Sequence, residues 1–506
     1  MRKKILLTSV MMLAVMIIAA PFANKASAEE AKLDSKVNVK LNGVYNVWGI
    51  SQNNFFFGAN GPLAEKDDYI VQMLRLKLEL ADKDEDIKVV TRFDLAQGWW
   101  GVDNAGDQGF NGGQFHNKST FFDFHVDHAY LDFKAPLVDG TRVAIGRMHF
   151  ALGNKLVLDD DVDGMKISTT AGPGKITLSY GKFFEGDVGT GTCGTPVAPI
   201  TSTCVPALGA LNDRGNAGDS NMFIAQYDQA LENGSFSAWY LYYSDQGTGD
   251  GTAYITNGLT YNRPRFTPQV SSLNIFGASV KYTLGQVTIT AEGDYLSGKD
   301  DINNLTYNAN RNDINNGTLD GATFYADLNY KINGQVNIGV KYGYGTGDKD
   351  QTGGKGNITK LKTQGFFYFT EVWEDSIMPD VAGITPQGLG APNTQGYREF
   401  ENTTAFQVYA NYKPVKWMNL FASYSVMTAT EMVTGFTGAG PNAIQSDKLG
   451  SEIDGVATIG LYSNLQLQAR VGYFVPGEAA KLLVNGTNVG QNKKALEFKS
   501  TLTYKF

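Results

Sequence analysis

The alternation of apolar and polar residues with a period of two is the feature that most constrains how this chain can fold. It runs through residues 87–96, 322–332 and 406–413, and the last twelve residues, ALEFKSTLTYKF, keep it up to the terminal Phe506. In an extended strand, successive side chains point to opposite faces. Segments of about ten alternating residues separated by turns are typical of transmembrane β-barrels, so the pattern predicts an all-β chain.

The connections between these segments come in two sizes that alternate along the chain. Short turns rich in Gly, Pro, Asn or Asp lie at 81–86, 136–140, 171–174, 232–234, 283–286, 333–334, 413–416 and 463–464. Long connections lie at 50–68, 98–120, 186–219, 246–271, 298–320, 347–401, 431–446 and 476–494, and the 147–162 connection is intermediate. Short periplasmic turns and long extracellular loops are the usual arrangement in outer-membrane barrels.

This segmentation predicts about 18 strands, with 16 as an alternative count. They are expected near 37–49, 69–81, 86–97, 121–135, 140–147, 163–170, 175–184, 220–231, 234–245, 272–283, 286–297, 321–332, 335–346, 402–413, 416–430, 447–462, 465–475 and 495–506. In hydrocarbon every backbone group must be paired, which requires the sheet to close. We therefore predict one antiparallel up-and-down barrel domain over 37–506, closed by pairing of the last strand with the first.

The first 28 residues have the features of a cleaved secretory signal peptide. A basic start precedes an apolar stretch at 5–20, and residues 26–28 have the small-x-small form of a cleavage site. Residues 29–36 are then expected to be a short periplasmic segment. The predicted location is the outer membrane of a Gram-negative bacterium, where the partners are membrane lipid and lipopolysaccharide. The terminal Phe506 on an alternating strand resembles the signal that the outer-membrane assembly machinery reads.

Charge and motifs exclude two classes of protein. The formal net charge of −8 becomes −12 once the four basic residues of the signal region are removed. An exported acidic chain without a basic tract argues against nucleic-acid binding. No Gly-x-Ser-x-Gly motif occurs and no Ser–His pair stands out, so the sequence predicts no enzyme.

The charged face of the strands is predicted to line a water-filled lumen. Basic residues outnumber acidic ones on this face, and a basic lumen favours anions. The alternative is that opposite charges on adjacent strands cancel, with Glu79 opposite Lys88 as one expected pair. The predicted pore-lining residues are Lys40, Arg75, Lys77, Glu79, Lys88, Arg92, Asp94, Asp132, Lys134, Arg142, Lys281, Asp327, Lys331, Lys341, Arg470, Glu497 and Lys499.

Cys193 and Cys204 are the only cysteines, and an exported pair this close in sequence predicts a disulfide that closes a loop. The sequence predicts no cofactor, with one candidate Ca²⁺ site as the exception. Asp159, Asp161 and Asp163 precede a glycine and are candidate Ca²⁺ ligands, although an acidic rim explains them as well.

The four histidines all lie within 116–149. His125 and His128 are three residues apart on a predicted strand and therefore point to opposite faces, which makes them a poor chelate. Asp123, His125 and Asp127 share one face and are candidate metal ligands.

The longest connection, 347–401, contains the apolar segment GFFYFTEVWED. So apolar a segment is not expected to extend into solvent. We predict that it folds into the barrel mouth as a constriction or packs on the rim, with Phe366, Phe367, Tyr368, Phe369 and Trp373 as the constriction candidates.

Two stretches resemble the alginate-export family of outer-membrane porins. One is GRMHFALGNKLVLDDDVDGMKI at 146–167, and the other is LGSEIDGVATIGLYSNLQLQARVGYFVPGE at 449–478. The second has Gly450, Glu452 and Asp454 on one strand and Gly472 and Tyr473 on the next. This resemblance implies an 18-stranded barrel with a basic lumen. It does not imply alginate as the solute, because Lys rather than Arg dominates the lumenal face here.

Three functional hypotheses follow. The first is a passive porin for small hydrophilic solutes with a mild anion preference. The second is a surface module whose long loops bind exported partner proteins, with the barrel as its anchor. The third is a dedicated exporter of an anionic polysaccharide. The sequence leaves open whether the chain is a monomer or a trimer.

Overall fold

The computed structural model describes residues 37–55, 57–58, 66–100, 124–136, 138–184, 220–245, 270–300, 318–347, 356–357, 362–363, 370–373, 400, 402–436, 443–485 and 492–506. The predicted signal peptide and the segment 29–36 lie outside these ranges, as do Cys193 and Cys204.

The described part of the chain contains twenty strands and one helix, and 18 of the strands form the wall of a barrel. The wall strands are β1 (Asn38–Asn53), β2 (Lys66–Ala81), β3 (Ile87–Trp99), β4 (Phe124–Lys134), β5 (Arg142–Ala151), β6 (Leu158–Ala171), β7 (Gly174–Phe184), β8 (Ser220–Leu231), β9 (Gly234–Asp245), β10 (Val270–Leu284), β11 (Val287–Asp300), β12 (Thr318–Lys331), β13 (Val336–Gly345), β16 (Thr403–Val415), β17 (Met418–Phe436), β18 (Ala443–Gly460), β19 (Leu465–Pro476) and β20 (Ala495–Lys505). Three short elements belong to long connections: β14 (Gly356–Asn357), β15 (Lys362–Thr363) and α1 (Glu478–Asn485).

Each wall strand is antiparallel to its neighbours, and the wall closes between the first strand and the last. β1 and β20 pair from Val44 opposite Lys505 to Asn53 opposite Leu496. β13 pairs directly with β16, because β14 and β15 lie in the connection between them. The predicted closed antiparallel barrel and the predicted count of 18 strands are confirmed.

The predicted strand positions agree with the structure to within a few residues, and β8 and β9 have the predicted bounds. The largest differences are at β6, which begins at Leu158 instead of residue 163, and at β17, which ends at Phe436 instead of residue 430. Both strands continue into hairpin tips. In β6 the backbone ladder continues into the tip, and in β17 it resumes at Val433 after an irregularity, although the alternation of side chains has stopped.

The prediction that Glu79 and Lys88 lie opposite each other across their hairpin is wrong. Glu79 pairs with Val90, and Lys88 pairs with Ala81. A turn over 81–86 would place residue 86 opposite Ala81, whereas the residue opposite Ala81 in the structure is Lys88, two residues further along the chain. The Lys77 ammonium lies 2.6 Å from Glu79, and the Lys88 ammonium lies 3.4 Å from Asp132 on β4.

The outer face of the wall is apolar, as the alternation predicts. On β20, Phe498 and Leu502 are exposed outside, whereas Glu497 and Lys499 are buried on the inside. A closed wall with an apolar outer face suits hydrocarbon, because the backbone groups of the sheet are paired within it. The barrel is therefore a membrane-spanning structure of the outer-membrane type. None of the helices among the described residues is both long and apolar enough to cross a membrane.

Two apolar clusters occupy parts of the barrel interior, and both include residues from connections. The β9–β11 cluster comprises Met148, Phe150, Leu152, Val157, Leu158, Val162, Met222, Ile224, Trp239, Leu241, Tyr243, Leu273, Ile275 and Leu296. The β16–β20 cluster comprises Phe55, Phe57, Leu156, Tyr325, Val372, Trp373, Phe400, Ala405, Met427, Ala429, Val433, Leu449, Phe474, Ala479, Ala480, Leu482 and Ala495. Parts of the connections therefore fold into the barrel.

Candidate channel constriction

The hairpin between β5 and β6 leaves the barrel wall. β5 pairs with β4 only as far as Arg147, and β6 pairs with β7 only from Asp163 onward. Residues 148–162 are paired with one another but with no neighbouring wall strand among the described residues. We call 148–162 the inner hairpin, because its side chains contact the inside of the wall.

Two glycines lie opposite each other at the base of the inner hairpin, Gly146 on β5 and Gly164 on β6. Gly146 has φ 129°, a backbone conformation that a side chain would strain. A Cβ on Gly146 would lie 2.3 Å from the carbonyl oxygen of Ala129, and one on Gly164 would lie 2.1 Å from that of Tyr180. The missing side chains let the hairpin depart from the wall while the neighbouring strands stay close together.

One face of the inner hairpin is apolar and packs against the inside of β8 to β11. Phe150 and Val162 lie in the β9–β11 cluster together with Trp239. At the tip, the backbone N–H of Asn154 donates a hydrogen bond to the Glu292 carboxylate on β11. The hairpin therefore extends from its own place in the wall to a different part of it.

The other face of the inner hairpin is polar and meets β3 and β4. Asp161 accepts a hydrogen bond from Arg92 at 2.6 Å, and its other oxygen lies 2.9 Å from the His128 ring. The His149 ring lies between two carboxylates, 2.9 Å from Asp159 and 3.1 Å from Asp161. This face is held to the wall by charged and polar contacts.

Ion pairs continue along the inside of β2 to β4. Arg75 donates to both oxygens of Asp94, each at 2.6 Å, and lies 3.0 Å from Asp127. Asp127 also accepts a hydrogen bond from Arg92 at 2.9 Å. In this part of the lumen the basic side chains are therefore paired, as the alternative sequence interpretation expects.

The long connection between β13 and β16 also enters the barrel. We call its residues 370–373 the inner segment. The backbone N–H groups of Val372 and Trp373 donate to the two oxygens of Glu452 on β18, at 2.5 and 3.0 Å. The Trp373 ring stacks on Phe474 of β19 with the ring centroids 5.2 Å apart.

Glu371 adds charged contacts to the inner segment. Arg470 on β19 donates to both of its oxygens, at 2.9 and 3.0 Å. The Lys499 ammonium on β20 lies 3.6 Å from Glu371 and 3.2 Å from Glu497. Two residues predicted to line the pore, Arg470 and Lys499, therefore hold this connection against the wall.

The inner hairpin and the long connection meet inside the barrel. β15 pairs in parallel with Leu158 and Asp159 of the hairpin, and β14 pairs in parallel with β12. Leu156 of the hairpin lies in the β16–β20 cluster with Val372 of the inner segment. Together the two connections extend from the β5–β6 side of the barrel to the β18–β20 side, and they narrow the lumen.

The predicted lining residues of β1 to β5 face inward and form ion pairs with described residues. Besides the pairs given above, these are Lys40 with Glu85 at 2.5 Å, Arg142 with Asp132 at 2.9 Å, and Lys134 with Asp86.

The predicted lining residues of β10 to β16 are arranged differently. Lys281 and Lys331 are exposed at inward positions and make no ion pair with a described residue. The Lys341 ammonium lies over the Tyr409 ring, 5.3 Å from its centroid. Asp327 accepts a hydrogen bond from the Tyr409 hydroxyl at 2.7 Å.

Of the five constriction candidates, Trp373 is described, and Phe366, Phe367, Tyr368 and Phe369 lie outside the described residues. Trp373 is buried against Phe474, so it anchors the connection to the wall. The constriction role of the aromatic segment stays a prediction.

The three aspartates predicted to bind Ca²⁺ do not converge on one point. Asp163 is exposed at the base of the inner hairpin, 3.8 Å from Arg147. Asp159 and Asp161 are buried in the lumen on either side of His149. The hairpin departs from the wall between these positions, which separates the ligands that the sequence places together. The alternative ligand Asp127 is paired with arginines, and Asp123 and the His125 side chain are outside the described residues.

Two acid pairs, which no prediction from the sequence connected, have the same role in the structure. Glu292 and Asp294 on β11, and Glu452 and Asp454 on β18, have the same Glu-x-Asp spacing on an inward face. In each pair the glutamate accepts backbone N–H groups from a connection inside the lumen. The repeated spacing was the signal that could have revealed them.

The fold and the constriction together define a class: a closed 18-strand antiparallel barrel of the outer-membrane type, narrowed by connections that fold inward. The structure is similar to that of OccK9 (OpdG) from Pseudomonas aeruginosa, with a TM-score of 0.53 and 11% identity over 93% of this chain and 98% of that chain. It is also similar to OccK8 (OprE) from the same species, with a TM-score of 0.49, 12% identity and coverage of 93% and 98%. For a BenF-like porin from Pseudomonas fluorescens Pf-5 the TM-score is 0.48, the identity 14% and the coverage 93% and 98%.

No protein-family model and no curated protein sequence matches this chain. At 11% identity, the likeness to OccK9 shows a shared fold alone. The predicted 18-strand outer-membrane barrel is confirmed, whereas the resemblance to the alginate-export family is not.

Proposed function

We propose that this protein is a passive outer-membrane channel for small hydrophilic solutes, with a mild preference for anions. The observation that carries the proposal is a closed membrane-spanning wall whose inner face is polar and charged and whose lumen is narrowed by two connections. A polar lumen gives water and small solutes a path, and a narrowed one limits their size.

The anion preference rests on the uneven distribution of paired charge around the lumen. The basic residues of β1 to β5 are compensated by nearby carboxylates. On β10 to β16, Lys281, Lys331 and Lys413 are exposed at inward positions and have no ion pair among the described residues. A lumen with uncompensated positive charge raises the local concentration of anions.

The test is the reversal potential of single channels in a KCl gradient. We expect an open channel whose reversal potential is shifted towards that of chloride, and we expect Lys281→Gln combined with Lys331→Gln and Lys413→Gln to reduce the shift. A matched control is Lys77→Gln combined with Glu79→Gln, which removes a compensated pair and leaves the net charge unchanged. A reversal potential that is insensitive to the triple change would overturn the anion preference. A silent barrel would instead favour an anchor for surface loops.

A further inference from the structure

We propose that His128, His149 and Asp161 bind a divalent transition-metal cation, best matched by Zn²⁺, on the polar face of the inner hairpin. His128 Nε2 lies 2.9 Å from Asp161 Oδ1, and His149 Nδ1 lies 3.1 Å from the same oxygen. The three ligand atoms lie within 4.8 Å of one another. Imidazole nitrogens with a carboxylate oxygen suit Zn²⁺ and its neighbours, and three protein ligands leave a position for water.

The spacing of the three atoms fits a shared ion. Zinc binds imidazole nitrogen and carboxylate oxygen at about 2.0–2.2 Å in tetrahedral geometry, so neighbouring ligand atoms around one ion lie about 3.4 Å apart. The two distances to Asp161 Oδ1, 2.9 and 3.1 Å, lie within about half an ångström of this value. The ligands come from β4, β5 and β6, so an ion here would join the inner hairpin to the wall.

The surroundings of the ligands also match a metal site. Histidines that bind metals usually donate their other ring N–H to a carboxylate. His149 Nε2 lies 2.9 Å from the buried Asp159 carboxylate. Arg92 donates to Asp161 Oδ2 at 2.6 Å, which orients the carboxylate so that Oδ1 stays directed at the two rings.

Without an ion, only the protonated, positively charged ring of His149 can satisfy both of its carboxylate contacts. Both ring nitrogens of His149 face carboxylate oxygens within 3.1 Å. A neutral imidazole can donate from only one nitrogen. A metal ion on Nδ1 with a proton on Nε2 satisfies both contacts at once. About 39% of the His149 side chain is exposed, so ions in the lumen can reach the site.

The test is titration of the folded barrel with Zn²⁺, carried out in detergent micelles without a polyhistidine tag. We expect one Zn²⁺ per chain and an increase in the unfolding temperature, because a ligand that binds only the folded state stabilises it. The decisive variant is His128→Gln with His149→Asn, whose amide nitrogens replace Nε2 and Nδ1 as hydrogen-bond donors but bind metals poorly. We expect its Zn²⁺ affinity to fall by at least about tenfold, since even partners outside the ligand set cost 10–100-fold.

The matched control is His116→Asn with His125→Asn, which removes the other two histidines of the chain. This control should bind Zn²⁺ as the unchanged protein does. Equal affinity in the unchanged protein and the His128/His149 variant, or no Zn²⁺ uptake by the unchanged protein, overturns the proposal. If the double variant does not fold, Asp161→Asn takes its place, because it removes the shared oxygen ligand but keeps a polar side chain of the same shape.

Discussion

The two connections inside the barrel are held in the same way, by a glutamate on a wall strand that accepts backbone N–H groups, but the two connections differ in how they are joined to the wall. On β11, Glu292 accepts the backbone N–H of Asn154 in the inner hairpin. On β18, Glu452 accepts the N–H groups of Val372 and Trp373 in the inner segment. A glutamate on a rigid strand thus satisfies backbone donors that would otherwise be buried without a partner, which is costly inside a barrel.

The second acid of each pair is bound alike. Asp294 accepts a hydrogen bond from the Thr323 hydroxyl, and Asp454 accepts one from Ser423, each at 3.1 Å. In both cases the hydroxyl lies directly opposite the aspartate on the neighbouring strand. The cross-strand hydroxyl fixes the aspartate to the wall, and the glutamate two residues away faces the connection.

The settings differ in how the chain is tethered. The inner hairpin continues directly from β5 and β6, so its base is fixed by the wall a few residues away. The inner segment lies near the middle of the connection between Gly345 and Thr403. Many residues of chain therefore separate it from each of the two wall strands that flank this connection. A longer connection gains more conformational freedom when its contacts are lost. The acid pair on β18 therefore holds the connection that would gain more conformational freedom on release.

The largest effect is expected for Glu452→Ala. It leaves two buried N–H groups without an acceptor, at a cost of about 1–3 kcal/mol each. We expect the inner segment to leave the wall, so single-channel conductance should rise and proteolytic cleavage within 347–401 should become faster. Unchanged conductance and unchanged cleavage would show that the other contacts, chiefly Glu371 with Arg470, hold the segment by themselves.

A smaller effect of the same kind is expected for Glu292→Ala. The backbone N–H groups of Asn154 and Leu156 lose a carboxylate partner, at a cost of about 1–3 kcal/mol each. The hairpin keeps its base in the wall and its apolar packing, so conductance should rise less than in Glu452→Ala, measured in the same bilayer and salt. A larger rise than in Glu452→Ala would contradict the argument from tethering.

The strands of the barrel wall could be predicted from the sequence, but the contacts of the connections inside the lumen could not. A period of two, turn residues and the alternation of short and long connections locate each wall strand, because these signals are local. The pairing of β1 with β20 also follows, since an open edge cannot persist in hydrocarbon. Register is less certain, as the Glu79–Lys88 prediction shows: the length of one turn decides which residues lie opposite each other.

The contacts inside the lumen depend on residues far apart in sequence, and no local pattern pairs them. Nothing near Asn154 indicates Glu292, and nothing near Trp373 indicates Glu452. The aspartates at 159–163 read as one acidic loop, because their spacing carries no sign that the hairpin leaves the wall at Gly146. The aromatic content of 365–373 predicted that this segment is buried in the barrel mouth or on the rim, since apolar side chains avoid water, and of its aromatic residues the structure describes Trp373, which is buried.

The smallest effect is expected for Gly472→Ala, which tests how closely the inner segment rests on β19. A Cβ at Gly472 would lie 2.5 Å from a side-chain carbon of Val372 and 3.0 Å from one of Glu371. Both atoms belong to a segment that can shift into the lumen, so the cost should lie near the lower end of the roughly 1–3 kcal/mol typical of overpacking. We expect a small decrease in the urea midpoint of the folded barrel in micelles, with the Glu452 contacts retained.

Gly455→Ala is the control, because its Cβ would meet only a Val471 side-chain carbon at 3.3 Å. Equal midpoints for the two variants would mean that the hydrogen bonds to Glu452, and not close packing on the wall, set the position of the inner segment.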